Sequence, residues 1–137
     1  MTDCPLYRAE NIAWPKCHVF GELVPDPQLW VDHVTHDYTF ASLRARCKLP
    51  NIYITVTRGA PQMTSCALAR VAVGHIDLPP GPVSQGLLLH EVAHLCSPDG
   101  AHHDRRYCVT YLTLVRQWFG ELAAVALRRA MADQGIL

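Results

Sequence analysis

Apolar and polar residues follow a helical period in the C-terminal half of the chain. Apolar side chains recur at intervals of three and four residues in three stretches, at about residues 83–96, 104–118 and 121–133. Such spacing places the apolar side chains on one face of a helix. Gly120 separates the last two stretches, and Gly135 suits the C-terminal cap of the third. This half is therefore predicted to form three helices.

The N-terminal half is less regular. Residues 1–26 carry short apolar pieces between prolines and are predicted to be extended structure with turns. A helix, or a pair of short helices, is predicted from Pro27 to about Cys47. Asp26 suits the N-cap of this region and Pro27 its first helical position.

Two β-strands are predicted between these helical regions. Residues 52–57 are β-branched or aromatic at every position, which favours a strand. Residues 67–78 are the second candidate, which the run Pro79-Pro80-Gly81-Pro82 ends. Strands followed by helices are typical of an α+β fold. We expect a small antiparallel sheet packed against three to four helices.

Length and composition indicate one globular domain over residues 1–137. Half of the residues are apolar, 18% are charged, and the formal net charge is zero. The absence of clustered basic residues argues against nucleic acid as the main partner. No apolar run is long enough to cross a membrane, and the N-terminus lacks the pattern of a secretory signal, so a cytoplasmic location is expected. The six cysteines occur singly, and most are expected to be reduced core residues.

The segment His90-Glu91-Val92-Ala93-His94 carries the strongest chemical signal. Two histidines four residues apart lie on one face of a helix, one turn apart, and can bind one Zn²⁺ at about 2 Å. Glu91 follows the first histidine and lies beside the metal rather than among its ligands. It can therefore act as the base that takes a proton from zinc-bound water, whose pKa the metal lowers to about 7.

A catalytic zinc needs a third protein ligand and one open position. The stretch Ser97-Pro98-Asp99-Gly100 ends the helix and allows the chain to turn back. His102 and His103 follow, and either could be the third ligand. Asp99 and Asp104 are chemically able to bind zinc but are less favoured beside histidine.

The HExxH segment, together with His103-Asp-Arg-Arg-Tyr107, resembles the SprT-type minimal zincin pattern. It is also similar to a small metallohydrolase family of actinobacteria and their phages. In that family the third ligand lies in a stretch like Ala-His-Gly-Pro-Glu-Phe. Alignment of Tyr107 with the family's aromatic residue implies that His103 is the third ligand, although Asp104 and Arg105 stand where the family has Gly and Pro.

Three further segments agree with that family and extend the resemblance over most of the chain. They are Phe20-Gly-Glu22, His75-Ile-Asp-Leu-Pro79 and the tail from Gly120 to Gly135. The resemblance implies a minimal zincin domain with an edge strand beside the active-site helix. It also implies a zinc metallopeptidase in which Glu91 assists the attack of zinc-bound water.

The substrate expected of such an enzyme is a peptide or protein. It would dock in extended form against a sheet edge, for which residues 67–76 are the best candidate. Tyr107 or His102 could contact an oxyanion or support the ligands from outside, while Tyr107 and Tyr111 also fit ordinary core packing. The alternative is a zinc-stabilised structural or assembly protein, such as a virion-associated phage component, with a vestigial or sealed site. Glu91 favours the enzyme, because a purely structural site has no use for it.

Overall fold

In a computed structural model, six α-helices and one three-stranded sheet form the described part of the chain, residues 4–59, 67–97 and 103–137. The helices are α1 (Pro5–Ala13), α2 (Pro27–Thr35), α3 (Tyr38–Arg46), α4 (Gln85–Leu95), α5 (Arg105–Phe119) and α6 (Glu121–Asp133). The strands are β1 (Thr55–Arg58), β2 (Leu68–Arg70) and β3 (His75–Leu78). Short 3-10 helices span Trp14–Lys16 and His18–Gly21. The predicted α+β class is confirmed.

The sheet is mixed, with strand order β1-β3-β2. β3 pairs with β1 in parallel and with β2 antiparallel, and Ile76 lies opposite both Val56 and Ala69. The prediction of an antiparallel sheet is therefore wrong for β1. The reason is that residues 67–78, predicted as one strand, divide at a turn over residues 71–74. Gly74 adopts a φ of 63° in this turn, and the chain reverses to bring β3 between the other two strands.

The helix α1 replaces the extended structure predicted for the start of the chain. Pro5 occupies the first turn of α1, where its missing N–H costs no helical hydrogen bond. Leu6, Ala9 and Ala13 follow at helical spacing and are fully buried. The prediction for residues 1–26 is therefore wrong over α1 and the 3-10 helices, because a proline that begins a helix was interpreted as a breaker.

The helix count exceeds the predicted three to four for two reasons: α1 is added, and the region from Pro27 to Cys47 is a pair of helices. Asp26 caps α2 as predicted, since its carboxylate accepts a hydrogen bond from the Leu29 amide at 3.1 Å. Asp37 caps α3 in the same way.

The three C-terminal helices lie where they were predicted. Ser84 and Asp104 cap α4 and α5 by accepting hydrogen bonds from the amides of Leu87 and Tyr107. Gly120, with a φ of 97°, separates α5 from α6. No helix among the described residues has both the length and the apolar character needed to cross a bilayer.

The helix α4 lies at the centre of the molecule, in contact with α2, α5 and β2. Every residue from Leu88 to Ala93 is buried, including the charged Glu91. Gly86 lets the start of this helix approach the segment before α2 closely, because a Cβ there would lie 2.8 Å from the Phe20 carbonyl oxygen. This packing fixes the helix that carries His90 and His94.

Candidate metal centre

Three histidine side chains converge at the end of α4. His90 and His94 lie one turn apart on α4, and His103 precedes the first turn of α5. The Nε2 atom of His103 lies 3.1 Å from Nε2 of His90 and 3.0 Å from Nε2 of His94. One nitrogen from each ring therefore faces a common point, and these three atoms lie within 4.8 Å of one another.

The spacing of these nitrogens fits a bound Zn²⁺. A tetrahedral zinc with ligands at about 2.0–2.1 Å holds its nitrogen ligands about 3.3–3.4 Å apart. A ring nitrogen carries either one proton or one lone pair, so Nε2 of His103 cannot satisfy two facing nitrogens by hydrogen bonding alone. A cation that accepts all three lone pairs resolves this conflict.

Of the other residues considered for the third ligand, His102 and Asp99 lie outside the described residues. Asp104 serves a different purpose, because its carboxylate caps α5 through the Tyr107 amide at 2.8 Å. His103 is thus the histidine that the structure brings to His90 and His94 within the described residues.

Buried hydrogen bonds hold His90 from behind. Its Nδ1 atom lies 2.7 Å from Oε2 of Glu10, a residue of α1 that is only 4% exposed. The hydroxyl of Tyr111 donates to the same Glu10 oxygen at 2.8 Å. The hydroxyl of Tyr107 donates to the His90 carbonyl at 2.8 Å. Because a histidine that donates its Nδ1 proton to a carboxylate keeps the Nε2 lone pair, this arrangement is typical of metal-binding histidines.

The start of the chain also contacts His103. The sulfur of Cys4, the N-cap residue of α1, lies 3.4 Å from Nδ1 of His103. The ring of Tyr7 lies edge-on to His103, with centroids 5.1 Å apart, and parallel to His90 at 6.0 Å. The N-terminal helix and its cap residue thus pack against the imidazoles of His90 and His103.

Glu91 and the three histidines line one cavity of about 410 Å³. Cys4, Tyr7 and residues 67–69 also line it. Glu91 is buried, with 6% of its surface exposed. Its side chain therefore lines the same cavity as the three histidines.

Burial and neighbouring charges shift the pKa values of the site. Burial, together with smaller contributions from positive charge on His90 and His103, lowers the pKa of His94 to about 3, so this ring is neutral and free to bind a cation near neutral pH. Burial raises the pKa of Glu91, against the opposing charge of His90 and with the support of the Glu10 carboxylate. For His90, burial favours the neutral ring, but the charge and hydrogen bond of Glu10 prevail and raise its pKa.

Tyr107 and His102 were considered for an oxyanion contact or for support of the ligands from outside. Tyr107 is fully buried and its hydroxyl donates to the His90 carbonyl, whereas His102 lies outside the described residues. Glu10, the buried carboxylate behind His90, was missed because its segment was predicted to be extended. The sequence nevertheless contained a signal for a buried carboxylate, because Glu10 lies on the same helical face as Leu6, Ala9 and Ala13.

The cysteines do not add a ligand to this cluster in the described residues. The five described cysteines are free thiols, and Cys96 and Cys108 are buried. Burial raises the pKa of each of these two thiols to about 12, so both are neutral near pH 7 and pack as apolar groups.

Comparisons of the chain with protein-family models, with curated proteins and with solved structures find no match. A function must therefore be inferred from the geometry of His90, His94 and His103 and from the buried side chain of Glu91, which lines the same cavity.

Proposed function

We propose that this protein is a zinc-dependent hydrolase of the minimal zincin type that cleaves peptide bonds. The observation that carries the proposal is the convergence of three Nε2 atoms, at 3.0 and 3.1 Å, on a cavity that a buried glutamate also lines. Three imidazoles that offer their Nε2 lone pairs are a donor set that suits Zn²⁺, and a set of three would leave a fourth position for water or substrate.

His90, His94 and His103 would hold the zinc, which would supply a Lewis acid and would lower the pKa of the attacking water to about 7. The part assigned to the protein is proton transfer by Glu91. Its carboxylate accepts a proton in the attack step and returns it to the leaving amine. Its burial and raised pKa suit this exchange, because a group that both takes and gives a proton works best when its pKa approaches the operating pH.

The strand β2 supplies the place for an extended substrate. It is one of the two edge strands of the described sheet, and Ala67, Leu68 and Ala69 line the cavity. The sequence predicted residues 67–76 as the docking segment. We limit it to residues 67–70, because residues 71–74 form the turn and β3 is the central strand. A peptide paired with this edge would pass beside Glu91 and the three histidines.

The alternative of a zinc-stabilised structural protein is less well supported by the site. Structural zinc sites are closed by four protein ligands. Within the described residues three ligands converge, and the space beside them is a cavity with a carboxylate in its wall. Those two features have a use in hydrolysis and none in a structural site.

The proposal is tested by metal analysis followed by a peptide-library assay. Protein purified without chelator or low pH should hold about one zinc per chain. Glu91→Gln should keep the zinc and lower the rate of peptide cleavage by about 10²–10⁴-fold, because the amide cannot accept the proton. Glu121→Gln, at an exposed carboxylate on α6, is the matched control and should cleave at the parent rate.

Each contrary outcome is distinct. Protein without a stoichiometric transition metal overturns the zinc site. Bound zinc with no cleavage of any library peptide favours the structural alternative. Cleavage by Glu91→Gln at the parent rate removes Glu91 as the base.

A further inference from the structure

The helix α1 presents one face to the metal centre. Tyr7 and Glu10, three residues apart, lie along one side of the helix, and Cys4 is its N-cap residue. Each contacts a histidine of the cluster: Cys4 contacts His103, Glu10 contacts His90, and Tyr7 lies against both. A segment some 80 residues earlier in the chain thus forms the back of the site.

Glu10 is the most unusual of these side chains, because it is a carboxylate within the core. A buried carboxylate is costly unless hydrogen bonds compensate for the lost hydration. Both of its described partners, Nδ1 of His90 at 2.7 Å and the Tyr111 hydroxyl at 2.8 Å, meet the same oxygen, Oε2. The hydrogen bond from Tyr111 therefore holds Oε2 of Glu10 in the position from which it contacts His90.

We propose that Glu10 is a positioning residue of the metal centre, that it acts through His90, and that Tyr111 holds it in place. The inference rests on the proposed zinc site. A neutral imidazole has one N–H, and donation of that proton to Glu10 leaves the lone pair on Nε2. Nε2 is the atom that faces His103 at 3.1 Å. The negative charge behind the ring also makes it a stronger donor to a cation.

A purely structural role for Glu10 makes a different prediction. If the carboxylate only fixed α1 to the core, its loss would lower the free energy of unfolding of the metal-free protein and leave the folded site unchanged. A positioning role requires a change in metal affinity and in the electronic environment of the bound metal. These quantities can be measured on folded protein without any assay of activity.

The experiment compares Glu10→Gln and Tyr111→Phe with the parent and with Glu121→Gln. The affinity for Zn²⁺ is measured by competition with a chelator, the site is examined through the absorption spectrum of the Co²⁺-loaded protein, and folding is checked by circular dichroism. Glu10→Gln should bind Zn²⁺ about 10–100-fold more weakly, with an altered Co²⁺ spectrum. Tyr111→Phe should show a smaller loss in the same direction, and Glu121→Gln should match the parent.

Folded Glu10→Gln with the parent's affinity and Co²⁺ spectrum overturns the inference. If Glu10→Gln does not fold, Tyr111→Phe decides, because it removes only the hydroxyl that holds Glu10. A parent-like affinity in that variant overturns the inference, and a several-fold loss supports it. A parent protein that binds no zinc refutes the proposed function itself, whereas zinc binding that is insensitive to Glu10 and Tyr111 refutes only this inference.

Discussion

The residues that follow His103 show which side of α5 faces the core and which side faces the solvent. Tyr107 is fully buried, and its ring centroid lies 4.4 Å from that of His94, whereas Arg106 is exposed. His103 precedes the helix, yet its ring also faces inward, with its centroid 5.1 Å from that of Tyr107. An inward Arg106 would have placed a cation in the core beside the metal, at a large desolvation cost.

We therefore expect His103→Ala to weaken zinc binding more than the loss of any outer hydrogen bond, by more than about 100-fold. His102→Ala should have a much smaller effect. The measurement is the dissociation constant for Zn²⁺ obtained with a competing chelator. His18→Ala is the control, because the His18 side chain is 94% exposed. A large loss in His102→Ala with parent-like binding in His103→Ala would reverse the assignment.

At the scale of elements, the ligand helix could be predicted and the helix behind it could not. His90 and His94 share one helix, so their spacing alone determines their relative direction. The contact between Glu10 and His90 joins residues 80 positions apart, and no local pattern encodes it. The spacing of His90 and His94 likewise says nothing about which later residue turns back to them. That choice came from the resemblance and not from spacing.

The pairing of the sheet strands, too, could not be predicted from local sequence patterns. Strand-forming residues are recognisable in 52–57 and 67–78, but whether a run is one strand or two depends on a single turn. Gly74 was the available signal, since its φ of 63° is a conformation that favours glycine. The parallel pairing of β1 with β3 follows from the turn and could not be derived without it.

We expect Gly86→Ala to destabilise the protein, although Gly→Ala within a helix ordinarily stabilises by about 1 kcal/mol. The added Cβ would lie 2.8 Å from the Phe20 carbonyl oxygen and 3.2 Å from two ring atoms of Trp14. Overpacking of this kind costs about 1–3 kcal/mol and outweighs that gain, so the free energy of unfolding should fall by up to about 2 kcal/mol. Urea denaturation provides the measurement.

The matched control for Gly86 is Gly21→Ala, since a Cβ at Gly21 meets nothing within 4 Å. Its unfolding midpoint should stay close to that of the parent. A Gly86→Ala variant as stable as the parent would show that α4 can shift away from the Phe20 segment without cost.

At the scale of the whole molecule, the candidate metal centre joins three distant parts of the chain. The three histidines lie on α4 and just before α5, and the side chains that contact them belong to α1 and its N-cap. This constellation exists only when all three helices are packed together. A cation bound there therefore stabilises the folded state over the unfolded state.

Removal of the metal should accordingly lower the melting temperature. At a free Zn²⁺ concentration about 100 times the dissociation constant, the stabilisation amounts to about 2.7 kcal/mol. Scanning calorimetry before and after dialysis against a chelator measures the difference. Readdition of Zn²⁺ should restore the transition and Mg²⁺ should not, because Mg²⁺ prefers oxygen ligands. Identical transitions with and without zinc would contradict a site built from all three helices.

The short length of β2 limits how far another strand could pair with this edge of the sheet. An uncovered strand edge is a template on which other chains can pair. From Leu68 to Arg70 the described edge is only three residues long, or about 10 Å. A second sheet would find few backbone hydrogen bonds there, whereas the proposed peptide substrate would need only a short stretch of pairing. The affinity and selectivity for such a substrate would then depend mainly on its side chains and on the cavity.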